Sequence, residues 1–89
     1  MEQKTIIEMI NVLNKNLKNN DCNIIFRGTL DMILKIKNLK FFICNEWIIL
    51  LSGKDVKLKI DTYWISDIII NKRNIILEME SEYTITIDC

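Results

Sequence analysis

The sequence predicts an α+β fold in which one N-terminal helix packs on a curved antiparallel sheet of five to seven strands. Nineteen of the 89 residues are isoleucine and none is alanine, so most apolar side chains are large and many are β-branched, which favours strands. Every connection after the first 21 residues is short, and short connections favour antiparallel neighbours. Partial closure of the sheet into a barrel stays open as an alternative. We expect a single domain over residues 1–89.

The helix is predicted over residues 2–18. Ile6, Ile10, Leu13 and Leu17 recur at spacings of four, three and four, which places them on one helical face. The Asn-Asn-Asp segment at 19–21 tolerates left-handed and capping geometry, so the helix should end there.

The strands are predicted from apolar runs and from the turn residues between them. They are expected at 22–27, 30–37, 40–51, 56–60, 65–70, 75–80 and 83–88. The 40–51 segment is interpreted as one long apolar strand, bulged or bent near Asn45 and Glu46. Turns are predicted at 38–39, 52–55, 71–74 and 81–82, where Asn, Gly, Ser, Asp and charged residues concentrate.

The residue types that are missing argue against catalysis. Without histidine the chain has no imidazole base and no His-ligated metal, and two glycines are too few for a glycine-rich phosphate loop. Asp61 and Asp67 flank Tyr63 and Trp64, the one stretch that resembles a platform for a sugar or a base. The favoured interpretation is that Trp64 is buried and Tyr63 caps the core. We therefore expect no enzyme, no catalytic residue, no metal and no cofactor.

The three cysteines, Cys22, Cys44 and Cys89, are odd in number and widely spaced. This pattern predicts reduced thiols rather than a disulfide framework, with Cys22 and Cys44 as small core residues and Cys89 exposed. No apolar run approaches the roughly 20 residues that a membrane span requires, and the first residues do not resemble a signal peptide. The protein is therefore expected to be soluble and cytoplasmic, in a host cytoplasm if a phage encodes it.

The charges total zero, which argues against a globally basic nucleic-acid binder. Acidic side chains gather on the last predicted hairpin at Glu78, Glu80 and Glu82. They could pair with lysines across strands, or they could mimic nucleic-acid phosphates in a basic cleft of a nuclease. The alternative is a lysine-lined sheet face that binds nucleic acid or a nucleotide, formed by Lys35, Lys37, Lys57 and Lys59 with Trp64 for stacking.

Two segments, 47–51 and 68–70, are apolar on both faces of their strands. The single helix can cover one face, so the other needs barrel closure, a partner or a second copy of the chain. A two-fold homodimer is the commonest form of such self-association.

Small size, the absence of sequence motifs and a composition typical of an A/T-rich genome are similar to those of inhibitors encoded by phages and mobile elements, including anti-CRISPR proteins. The resemblance implies a non-catalytic protein that occludes the surface of a partner, such as a nuclease or a defence effector. The residues expected to contact that partner are Glu78, Glu80, Glu82, Tyr63 and Trp64. A nucleic-acid-binding module and a purely structural homo-oligomer subunit remain the alternatives.

Overall fold

The protein has one N-terminal helix and two antiparallel sheets, and the computed structural model describes residues 3–28, 31–44 and 48–89. Helix α1 spans Gln3–Val12 and continues as a π-helical turn, Leu13–Leu17. The strands are β1 (Cys22–Arg27), β2 (Met32–Ile36), β3 (Lys40–Ile43), β4 (Ile48–Ser52), β5 (Lys57–Asp61), β6 (Ile65–Ile70), β7 (Asn74–Met79) and β8 (Thr84–Asp88). The larger sheet has the order β2-β1-β8-β7-β6, and the smaller has the order β3-β4-β5.

The α+β class and the antiparallel pairing are confirmed, whereas the single sheet is wrong. In the part of the chain that the structure describes, eight strands form sheets of five and three, and the sheets do not close into a barrel. The difference begins at 40–51, which is not one long strand but the hairpin of β3 and β4, with Phe41 opposite Leu51 and Ile43 opposite Ile49. Because the segment folds back on itself, the backbone N–H and C=O groups of β3 pair with those of β4. Asn45 and Glu46, where a bulge or bend was predicted, lie outside the described residues.

The N-terminal helix ends where its sequence predicts, but its last turn is wider than an α-helical turn. The Lys18 amide donates to the Leu13 carbonyl at 2.7 Å, a bond between residues five apart. Leu13 and Leu17 are both buried in this turn, and Asn19 follows with a φ of 69°. The left-handed residue stops the helix, as expected for asparagine at such a position.

One core joins the helix and both sheets. Alternate residues of the five-stranded sheet face it, so that Ile24 of β1 lies beside Ile87 of β8 and Leu77 of β7 lies beside Ile85 of β8. The helix contributes Ile6, Met9, Leu13 and Leu17, and the smaller sheet contributes Ile49, Leu51 and Ile60. Isoleucine, leucine and methionine side chains from the helix and both sheets therefore fill this shared core.

Leu39 lies at the crossing point between the two sheets and is completely buried. Its amide donates to the Asn20 carbonyl at 2.9 Å, and its carbonyl accepts from the Asn19 amide at 2.8 Å. The Asn38 amide donates to an Asp21 carboxylate oxygen at 3.0 Å, and Lys40 Nζ donates to Asn19 Oδ1. These bonds tie the end of the helix to the connection between β2 and β3.

The prediction of reduced cysteines is wrong, because Cys22 and Cys89 form a disulfide with their Cα atoms 4.3 Å apart. Strand β8 pairs with β1 so that Asn23 lies opposite Asp88, and this register brings Cys89 next to Cys22. Spacing along the chain could not show this, since the two residues are 67 positions apart. Cys44, expected in the core, is instead a free and exposed cysteine.

Gly28 follows β1 in a backbone conformation that side chains rarely adopt, with a φ of 153°. An added Cβ would lie 2.6 Å from Cβ of Tyr83. We therefore expect Gly28→Ala to lower the free energy of unfolding by roughly 1–3 kcal/mol, measured by urea denaturation. Lys54→Ala, an exposed change in another turn, serves as the control and should leave the midpoint unchanged; equal midpoints for both variants would contradict the prediction.

Candidate protein-binding site

Two aromatic side chains project from a short turn between the two sheets. Strand β5 ends at Asp61, whose carboxylate accepts a hydrogen bond from the Tyr63 amide at 3.0 Å and begins the 3₁₀ turn Thr62–Trp64. Within this turn the Thr62 side chain is buried, whereas the Tyr63 side chain is 60% exposed and the Trp64 side chain is 51% exposed. The two rings pack edge to face, with centroids 4.9 Å apart. The favoured interpretation that Trp64 is buried is therefore wrong.

The acidic residues lie on and beside the turn that joins β7 to β8. The Met79 amide donates to the Tyr83 carbonyl at 2.9 Å, and the Glu82 amide donates to the Met79 carbonyl at 3.2 Å. Glu82 adopts a φ of 62°, which lets the chain reverse tightly. Glu78, Glu80 and Glu82 are all exposed, so their carboxylates face solvent around one hairpin end.

The start of β6 joins the aromatic turn to the acidic hairpin. The Glu80 amide donates to the Trp64 carbonyl at 2.9 Å, and the Ser66 hydroxyl donates to the Glu78 carbonyl at 2.9 Å. The structure thus places all five residues predicted to contact a partner at one end of the larger sheet. We call this set, Tyr63, Trp64, Glu78, Glu80 and Glu82, the acidic–aromatic edge.

Asp61 and Asp67, the carboxylates that flank the aromatic pair in the sequence, both accept backbone hydrogen bonds. Asp61 caps the 3₁₀ turn, and an Asp67 carboxylate oxygen accepts from the Ile68 amide at 2.8 Å. Asp67 also lies opposite Glu78 in the pairing of β6 with β7, which adds a further carboxylate beside the acidic–aromatic edge. Among the described residues no group of three or more acidic or cysteine side chains is arranged to hold a metal ion.

The four lysines of the alternative prediction lie on or beside strands of two different sheets. Lys35 lies on β2, and Lys37 follows it; both line a depression with Lys54 and Asp55 from the turn between β4 and β5. Lys57 and Lys59 are exposed on β5 of the smaller sheet. Lys59 lines a second depression together with Asp61, Trp64, Ser81 and Tyr83, next to the acidic–aromatic edge.

A second surface was only partly visible in the sequence. On the outer face of the larger sheet, four isoleucines and one threonine lie side by side, one from each strand. This isoleucine row consists of Ile33, Ile25, Thr86, Ile76 and Ile69, in the order of the strands. The run 68–70 signalled apolar side chains on both faces of β6, but the row depends on the register of all five strands.

None of the helices that the structure describes is long and apolar enough to cross a membrane. The chain matches no protein-family model, and comparisons with curated proteins and with solved structures found no significant match.

Proposed function

We propose that the protein is a non-catalytic binding protein whose acidic–aromatic edge occludes a basic surface of a partner protein. The observation that carries the proposal is the placement of two exposed aromatic rings beside three exposed carboxylates, on and next to hydrogen-bonded turns. Aromatic side chains dominate the energetics of many protein interfaces, and carboxylates complement a basic partner.

The rigidity of this edge supports binding rather than a solvated surface alone. The Asp61 cap and the bond between Glu80 and Trp64 hold the backbone of the turn. A surface whose backbone is already ordered loses less conformational entropy when a partner binds. The fitting partner is a protein with a basic cleft, such as a nuclease or defence effector that binds nucleic acid there. An inhibitor made by a phage in its host's cytoplasm would use such a surface.

The test is retention of proteins from a host lysate on the immobilised chain. We expect Trp64→Ala and the pair Glu80→Lys with Glu82→Lys each to abolish retention of a specific protein, because each removes one part of the edge. Heparin should displace that protein from the unmodified chain, since a polyanion competes for a basic cleft. Thermal unfolding of both variants should stay within a few degrees of the unmodified chain.

Glu8→Lys is the matched control, because Glu8 is an exposed carboxylate on helix α1, outside the turn and the hairpin that form the edge. This variant should retain the partner. If Glu8→Lys weakens retention of the partner as much as the edge variants do, the proposal is contradicted. Tight binding of the chain to single-stranded DNA that falls steeply with salt, which the lysine alternative predicts, would also contradict it.

A further inference from the structure

The isoleucine row leaves the outer face of the larger sheet apolar at its centre. Ile33 and Ile69, at the two ends of the row, are 61% and 41% exposed, and Ile25, Thr86 and Ile76 between them are half-buried. The helix and the smaller sheet both pack on the opposite face, where the core lies. An apolar strip that crosses every strand of a sheet is a candidate interaction surface.

The charges beside the row divide into two bands. The first band lies on one side of the row, two residues further along each strand. It consists of Lys35, Asn23, Asp88 and Asn74. The second band lies on the other side of the row and consists of Arg27, Thr84, Glu78 and Asp67. Asp31, which directly precedes β2, ends this second band beside Arg27; its carboxylate accepts from the Gly28 amide at 3.1 Å.

We propose that the isoleucine row is the interface of a homodimer, in which a second copy of the chain packs face to face about a two-fold axis parallel to the row. Such an axis lays the row on its own copy and lays each band on the other band of the partner. Apolar side chains then meet apolar side chains along the whole width of the sheet.

Under this axis the two bands bring one pair of opposite charges directly face to face, twice by symmetry. Lys35 comes directly opposite the Asp31 position of the second copy. Arg27 lies diagonally beside the positions of both Asp88 and Lys35, and Glu78 lies diagonally beside that of Asp88, so the diagonal contacts do not add to this pairing. Asp88 itself faces a threonine, Thr84, and Glu78 faces an asparagine, Asn74. No carboxylate lies directly opposite another carboxylate, and the two symmetric Lys35–Asp31 pairs are the charge contacts that fit this surface to a second copy.

The size of the face is at the lower end of what a specific dimer buries. Five strands about 4.8 Å apart and about 20 Å long give a face of roughly 500 Å² per copy. Two such faces reach the lower limit of specific interfaces, near 1,000 Å² in total. The axis also points the two turns between β7 and β8 in opposite directions, which leaves Tyr63, Trp64, Glu80 and Glu82 open to partners, whereas Glu78 lies within the dimer interface.

Sedimentation equilibrium from roughly 1 to 300 µM tests the proposal. The measurement uses a Cys44→Ser background, because this exposed thiol could otherwise link two chains covalently. We expect a reversible dimer, and we expect Ile33→Asp and Ile69→Asp each to weaken it about 30-fold or more, since each places two carboxylates in the apolar row. Phe42→Asp is the matched control: Phe42 is 56% exposed on β3 of the smaller sheet, and the dimer should persist.

A charge exchange tests the orientation of the second copy. Lys35→Asp should weaken the dimer about tenfold by facing Asp31, and adding Asp31→Lys should restore it. Circular dichroism of each variant checks that the fold is retained. A monomer at all concentrations, or a dimer that Phe42→Asp breaks as readily as Ile33→Asp does, would overturn the proposal. Failure of the exchange to restore the dimer would overturn the proposed two-fold arrangement.

Discussion

Reduction of the disulfide between Cys22 and Cys89 is expected to lower the free energy of unfolding by about 4 kcal/mol. The bond joins residues 67 positions apart, so it removes much of the conformational freedom of the unfolded chain. Domains of this size have a total stability of roughly 4–13 kcal/mol, so the loss would be a large share. The melting temperature should fall by roughly 20 °C.

Urea denaturation with and without reductant measures this effect, again in the Cys44→Ser background. The variant Cys22→Ala with Cys89→Ala is the control, because reductant should not change its midpoint. Thiol titration of the unreduced, unfolded protein should find one free thiol when Cys44 is present. Three free thiols, or equal midpoints in both conditions, would show that the disulfide does not form in solution.

The same measurement bears on where the protein works. Disulfides are typical of oxidising compartments, whereas a cytoplasm keeps thiols reduced. A protein that needs this bond for stability is expected to lose much of its folded population in a reducing cytoplasm. Binding of the partner that persists in a reducing extract would therefore favour the predicted cytoplasmic location.

Leu39→Ala is expected to lower the free energy of unfolding by about 3 kcal/mol, because it leaves a cavity at a fully buried position. The cavity would open where the end of the helix, the larger sheet and the smaller sheet meet. Hydrogen exchange of the Asn19 and Leu39 amides, which bond across this junction, should accelerate in the variant.

Ile43→Ala is the matched control, since Ile43 lies on neighbouring β3 and is 56% exposed. We expect it to cost less than about 1 kcal/mol, because its side chain is already largely in water. Equal destabilisation by the two variants would show that the junction at Leu39 does not hold the layers together.

Local signals in the sequence predicted the helix, its end at Asn19, and the turns at 52–55 and 71–74. At these turns the Gly53 amide donates to the Val56 carbonyl at 2.8 Å, and the Asn71 amide donates to the Asn74 carbonyl at 2.9 Å. Strand β5 alternates as its sequence indicates, with Lys57 and Lys59 exposed and Ile60 buried. Turn chemistry and periodicity act over a few residues, so one sequence is enough to detect them.

The candidate site was predictable in part for the same reason. Glu78, Glu80 and Glu82 belong to one hairpin, and Tyr63 and Trp64 are neighbours in the chain. That the two groups meet depends on the pairing of β6 with β7, through the bond from the Glu80 amide to the Trp64 carbonyl. That Trp64 is exposed depends on the turn that carries it, which composition alone does not determine.

By itself the sequence determined the class of the fold, the lengths of most elements and the sites of chain reversal other than the one between β3 and β4, because these follow from local propensity and spacing. Only the tertiary structure decided the division into two sheets, the disulfide and the isoleucine row. All three depend on which strands become neighbours, and strand β8 illustrates this by inserting between β1 and β7 from the far end of the chain. Runs of isoleucine are apolar on both faces, so they pair almost equally well in several registers, and only the packing of the whole core selects one.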